Sequence, residues 1–89
     1  MELLLKVEDT FEIAGRGLAL APDLQLQDQP KDSSHEVVIE LPDGSSISSH
    51  ARLAVEHFRP VGYKLVVYLP ELAKGQVPIG SKVFWQAGR

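Results

Sequence analysis

The chain has 89 residues, a net charge of −3, no cysteine, and 44% hydrophobic residues. This length suits one domain over residues 1–89, and the lack of cysteine excludes disulfides, thiolate zinc sites and cysteine nucleophiles. The acidic balance argues against DNA, whose backbone attracts clustered lysine and arginine.

The first segment is a short apolar run at residues 3–5. It is too short for a signal-peptide core or a membrane span, so we expect a cytoplasmic protein without membrane association.

A β-hairpin is the first predicted element. Apolar residues alternate on both sides of a glycine-rich turn, at Leu3, Leu5, Val7, Phe11, Ile13, Leu18 and Leu20. The turn is Gly15-Arg16-Gly17, because glycine tolerates the positive φ of a tight turn. We expect Arg16 to brace a nearby carboxylate.

A second hairpin follows a polar loop at about residues 22–35, within which Leu24 and Leu26 alternate well enough for a short edge strand. His35–Leu41 is rich in β-branched residues, Pro42-Asp43-Gly44 is a strong turn signal, and Ser45–Ser49 supplies the return strand. Two strands joined by so short a turn are antiparallel.

The second half of the chain contains one ambiguous segment and two clear strands. Residues 51–58 fit both a helical stripe and strand alternation. Tyr63–Leu69 alternates as a strand, Pro70–Gly75 has room for one helical turn, and Lys82–Trp85 is β-prone. Many short strands predict an all-β sandwich or barrel, and closure into a barrel would remove exposed edges.

Three blocks of sequence resemble one known domain. The run from Val7 to Gly17 resembles the segment that opens the second domain of elongation factor Tu and related translational GTPases. Residues 55–59 are similar to that domain's Val-Glu-x-Phe-Arg stretch, and Gly75-Gln76-Val77 to a Gly-Gln-Val near its end. The resemblance implies a closed or nearly closed antiparallel β-barrel of about six strands, in which residues 51–58 are mainly extended.

The same resemblance implies a binding site. It would place Glu8, Asp9 and Phe11 around an aminoacyl group, and Glu56 and Arg59 near a terminal nucleotide. A carboxylate accepts hydrogen bonds from an amino group or a ribose hydroxyl, and phenylalanine supplies an apolar wall. The implied function is a non-catalytic translation-factor-like module that binds an RNA 3′ end, such as that of aminoacyl-tRNA, or a translation protein.

The residues also allow simpler interpretations. Asp9 can bond turn amides, Phe11 can fill the core, Glu8 can be solvated, and Glu56 and Arg59 can form a surface ion pair. The alternative function is a protein–protein interaction module that retains only the barrel fold, which the acidic balance favours.

The sequence contains no complete motif for catalysis or for cofactor binding. His35, His50 and His57 have no metal-ligand spacing, and the serines at 45–49 lie outside a nucleophile elbow. The Gly-x-x-x-x-Gly-Lys-Ser/Thr phosphate loop is absent, so we expect no bound nucleotide. We therefore predict no enzymatic activity, no metal and no cofactor.

Overall fold

The computed structural model describes residues 2–24, 32–58 and 62–86. In chain order its strands are β1 (Leu3–Lys6), β2 (Asp9–Ile13), β3 (Gly17–Leu24), β4 (Ser33–Glu40), β5 (Ser46–Phe58), β6 (Gly62–Leu69) and β7 (Lys82–Trp85). They form one antiparallel sheet in the order β1-β7-β4-β5-β6-β3-β2, which confirms the all-β prediction. A short 3₁₀ helix, Lys74–Gln76, precedes β7. Within the described ranges, no helix has the length and apolarity needed to cross a membrane.

Strand β5 settles the ambiguity at residues 51–58. Its first part pairs with β4 and its second part with β6, so the whole segment is extended. Backbone groups that are bonded to neighbouring strands on either side are not available for helical bonds. The pairing therefore decides what the apolar periodicity of this segment left open.

Strands extend into both ends of the polar segment predicted as a loop. Strand β3 runs to Leu24, which pairs with Leu65 of β6. Strand β4 begins at Ser33, which pairs with Leu53 of β5. The middle of the predicted loop, residues 25–31, lies outside the described residues.

The sheet has seven strands because the part of the predicted hairpin that precedes the turn, from Leu3 to Ile13, is divided into β1 and β2 at Val7 and Glu8. The Val7 N–H donates to Ser81 O at 2.8 Å, and Val7 O accepts from the Gly80 N–H at 2.9 Å. The Glu8 N–H donates to Ala21 O of β3, also at 2.8 Å. Strands β1 and β2 are consecutive in the chain but lie at opposite edges of the sheet, and the described ladders do not join them, so the sheet is not closed.

One face of the sheet carries the main hydrophobic core. We call this the core face; its buried residues are Leu5, Val7, Leu18, Leu20, Val37, Ile39, Ala51, Leu53, Leu65, Val67, Leu69, Val77 and Val83. The opposite, outer face buries a smaller cluster of Ala19, Ala54, Val66 and Tyr68. Successive side chains of a strand point to opposite faces, so β3, β5 and β6 contribute to both clusters.

Three positions depart from the predicted apolar alternation. Leu3 is 49% exposed because the register of β1 against β7 shifts between Leu3 and Leu5, and Leu4 packs against the core. Phe11 is 50% exposed because it lies opposite Ala19 on the outer face, and Ile13, two residues farther along β2 on the same face, is 41% exposed. The interpretation in which Phe11 fills the core is therefore wrong.

Candidate functional site

A row of four side chains crosses the outer face of the sheet. Phe11 of β2 pairs with Ala19 of β3, Ala19 pairs with Tyr68 of β6, and Tyr68 pairs with Arg52 of β5. Directly opposed residues place their side chains on the same face. Because alanine is small and lies between two aromatic residues, the row has a depression at Ala19.

This depression belongs to an open groove of about 610 Å³, which we call the outer-face groove. Phe11, Ile13, Ala19 and Val66 are among its apolar lining residues. Its polar lining includes Arg16, Asp23, Glu56, His57, Lys64 and the hydroxyl-bearing Tyr68. A groove of this size, mostly apolar and with a few convergent polar groups, is typical of a binding site.

The β2–β3 turn brings Arg16 to the groove. Gly17 has a φ of +96°, and a Cβ at this position would lie 2.5 Å from Pro70 Cα. Only glycine fits both the conformation and the close approach. The Arg16 N–H donates to Ile13 O at 3.0 Å, so the turn holds the backbone from which the guanidinium extends.

Arg16, Glu56 and Tyr68 form a bonded network at one wall of the groove. Arg16 Nη1 forms an ion pair with Glu56 Oε2, and the Tyr68 hydroxyl donates to the same oxygen at 2.7 Å. Arg16 Nη1 also lies 3.5 Å from the Tyr68 hydroxyl. The Glu56 side chain is 20% exposed and the Arg16 side chain 44%, so the network is partly screened by water. Arg16 thus braces a carboxylate, as predicted.

Two further cations around the groove are paired with carboxylates. Lys64 Nζ lies 3.5 Å from Asp23 Oδ1, and Arg52 Nη2 lies 3.1 Å from Asp32 Oδ2. The Arg52 guanidinium is also 5.9 Å from the ring centre of Tyr68. These pairs leave little net positive charge at this end of the groove.

Phe11 lines the groove, and the 3₁₀ helix, which contributes no lining residue, lies along the outer edge of the same strand, β2. Lys74 Nζ donates to Thr10 O at 2.7 Å and lies 5.8 Å from the centre of the Phe11 ring. The Lys74 backbone N–H donates to Glu12 Oε2 at 3.0 Å. These contacts fix the 3₁₀ helix beside the outer edge of β2.

The structure brings together two of the five side chains that the resemblance implied. Phe11 and Glu56 line the outer-face groove. Glu8 and Asp9 are exposed and are not among its described lining residues; Asp9 Oδ1 instead accepts the Thr10 N–H at 2.8 Å. Arg59 lies outside the described residues. Asp9 therefore bonds a backbone amide, as in the simpler interpretation, but this amide lies within β2 and not in a turn.

The sequence interpretation omitted several groove residues, chiefly Tyr68, Lys64 and Ile13. The signal for two of them was present in β6. If Leu65, Val67 and Leu69 face the core, alternation places Lys64, Val66 and Tyr68 on the opposite face. Which strands surround that face depends on the strand order, which alternation within one strand does not contain.

The histidines lie in separate surroundings. His35 Nε2 is 2.9 Å from Ser33 Oγ, His50 Nδ1 is 3.3 Å from Glu71 Oε1, and the His57 ring stacks on Tyr63 with centroids 4.7 Å apart. In the part of the chain that the structure describes, no group of three histidine, aspartate or glutamate side chains is placed to hold a metal ion.

No family model matches this chain, and comparisons with curated proteins and with solved structures find no match.

Proposed function

We propose that this chain is a non-catalytic protein-interaction module whose outer-face groove holds an apolar side chain of a partner protein. The observation that carries the proposal is the depression at Ala19 between Phe11 and Tyr68. Phe11 is half exposed, and a partner side chain seated beside it would remove this apolar area from water. Exposed aromatic residues beside a pocket are typical anchors of protein interfaces.

The charges around the groove favour a protein segment over an RNA strand. Arg16, Lys64 and Arg52 each pair with a carboxylate of this chain. A phosphate would have to compete with those carboxylates, and the whole chain carries a net charge of −3. An apolar side chain needs no free cation.

The proposal also excludes a catalytic step. Glu56 is the groove carboxylate with the most contacts, and its bonded oxygen is engaged by Arg16 and Tyr68. Arg16 is not a nucleophile, and Tyr68, whose hydroxyl donates to Glu56, is buried and is assigned a structural role in this proposal. The network instead gives the groove a rigid polar wall.

For the fold type, we propose the translation-factor barrel implied by the resemblance. Support comes from the Val7–Glu8 link, whose backbone bonds reach Ser81 on one side and Ala21 on the other. A chain that joins the two outermost strands through two residues requires the sheet to curl strongly, as in a barrel.

A second candidate function is binding of an RNA 3′ end. It is favoured by the fact that Phe11 and Glu56, which the resemblance assigned to one ligand, line the same groove. Phe11 offers a ring for a base or an aminoacyl side chain, and a carboxylate accepts from a ribose hydroxyl.

A selection experiment tests the leading proposal. A displayed library of seven-residue peptides is selected on the full chain, and selected peptides are then measured against Phe11→Ala and Ile79→Ala. Ile79 is 65% exposed and is not among the groove's lining residues, so it is the matched control. We expect peptides with an apolar residue that bind Phe11→Ala about tenfold more weakly and Ile79→Ala equally well. Equal affinity for Phe11→Ala and the original chain would remove the groove as the binding site.

The RNA candidate is tested by titration with charged and uncharged tRNA at several salt concentrations. Absence of binding at low salt would eliminate it. Binding that Phe11→Ala and Glu56→Gln both weaken, with no peptide selected, would replace the protein partner with an RNA end.

A further inference from the structure

We infer that Lys74 makes the outer-face groove selective for a peptide whose apolar anchor residue is accompanied by an acidic residue two positions away. This inference rests on the proposed protein-binding function of the groove. It assigns the partner's chemistry and a specificity-determining residue.

Lys74 is not a lining residue of the groove but lies beside Phe11, so it would contact a part of the ligand that extends past Phe11. It differs from the cations around the groove in its partners. Its ammonium bonds a backbone carbonyl, Thr10 O, and faces the Phe11 ring. Among the described residues, no carboxylate forms an ion pair with it. The nearby Glu12 carboxylate bonds the Lys74 backbone N–H. Lys74 is exposed, so its remaining ammonium hydrogens are accessible to a ligand.

The position of Lys74 is fixed before any ligand arrives. The Val77 N–H donates to Lys74 O at 3.3 Å, and the buried Val77 anchors this part of the chain in the core. The Ala73 N–H donates to Gln76 Oε1 at 2.8 Å, which closes the 3₁₀ helix on itself. A cation held in place by backbone contacts loses less freedom on binding than a free lysine side chain.

The spacing between Lys74 and Phe11 sets the spacing of the ligand's groups. Lys74 Nζ lies 5.8 Å from the centre of the Phe11 ring. In an extended peptide, side chains at positions i and i+2 point to the same side and are about 7 Å apart. An apolar side chain against Phe11 and a carboxylate at Lys74 therefore fit an apolar-x-acid or acid-x-apolar segment.

A single carboxylate agrees with the charge of this surface better than a row of phosphates does. A peptide carboxylate at the Lys74 ammonium would meet one neighbouring negative charge, that of Glu12, whose Oε2 accepts the Lys74 N–H, so we expect a small net gain from this pair. A polynucleotide would also bring phosphates near Glu12, Asp23 and Glu56. We therefore assign the cation to a peptide.

The test uses the peptides selected on the full chain. We expect the enriched sequences to carry Asp or Glu two positions from the apolar residue. Lys74→Gln should weaken the best peptide about two- to fivefold, and Lys74→Arg should restore it, as for an exposed charge pair. Lys82→Gln is the matched control and should leave the affinity unchanged, because Lys82 is an exposed lysine of β7, a strand that contributes no lining residue to the groove.

A double-mutant cycle completes the experiment. Replacing the peptide's acidic residue with its amide should weaken binding to the original chain and have no further effect on Lys74→Gln. If Phe11→Ala abolishes binding while Lys74→Gln and the amide peptide have no effect, this inference fails and the groove proposal stands. If Phe11→Ala also has no effect, both fail. If single-stranded RNA binds and Lys74→Gln weakens it, the peptide assignment is overturned.

Discussion

The hydrogen bond from Tyr68 to Glu56 should be measurable as stability. Tyr68 is 5% exposed and its hydroxyl donates to Glu56 Oε2 at 2.7 Å. Hydrogen bonds to charged groups contribute about 1.5–3 kcal/mol, and the partial exposure of Glu56 favours the lower end. Tyr68→Phe should therefore lower the free energy of unfolding by about 1.5 kcal/mol. In urea this shifts the unfolding midpoint by about 1 M for a domain of this size.

A cycle with Glu56→Ala separates this bond from other effects. Glu56→Ala removes the acceptor of a largely buried hydroxyl and should also cost about 1.5 kcal/mol. Since both changes remove the same bond, we expect the double variant to show a coupling of about 1 kcal/mol. The control is Tyr63→Phe, because Tyr63 is 62% exposed and its hydroxyl makes no described hydrogen bond; it should not move the midpoint. A coupling below about 0.3 kcal/mol, with an unchanged slope of the unfolding free energy against urea concentration, would refute the network as a stabilising element.

Two further predictions concern the turns. Two hydrogen bonds lower the pKa of Asp43: one from the Ser45 hydroxyl, which has the larger effect, and one from the Ser45 N–H. The small stabilisation that they give the folded chain is therefore present above the ordinary aspartate pKa and is lost as the pH falls through the lowered pKa. NMR titration should show the Asp43 pKa rising in Ser45→Ala; an unchanged pKa would contradict the assignment. Gly17→Ala should lower the free energy of unfolding in urea by about 2 kcal/mol or more, and Gly44→Ala should lower it less. Both glycines have a positive φ, but only a Cβ at Gly17 would meet Pro70. Equal costs would show that the close approach relaxes freely.

Signals from neighbouring residues in the sequence were sufficient to predict most of the strands. The Pro42-Asp43-Gly44 turn and the alternation in Tyr63–Leu69 are properties of neighbouring residues, and the corresponding hairpin and strand form. The turn at Gly15-Arg16-Gly17 also lies where predicted. Such signals are reliable because glycine conformation and side-chain alternation act within a few residues.

The face assignment of β2 shows where local signals end. Phe11 and Ile13 alternate as regularly as Leu18 and Leu20, yet only the leucines enter the core. The hairpin register places Phe11 opposite Ala19, so the two apolar sets lie on opposite faces and compete for burial. The leucines are buried because β3 pairs with β6, so they lie beside the core-facing side chains of that strand, whereas β2 is at the edge of the sheet.

The candidate site depends on the same long-range information. Phe11 and Glu56 were predicted to share a ligand and do line one groove, but Glu8 and Asp9 do not join them among its described lining residues. Tyr68 enters because β6 lies between β3 and β5.

The sequence by itself determined an all-β chain, its main turns and the extended segments between them apart from residues 51–58, because those features follow from backbone preferences and alternation over short distances. The tertiary structure decided which apolar face became the core and which side chains surround the groove. Those outcomes depend on strand order and register, which join residues far apart in the chain.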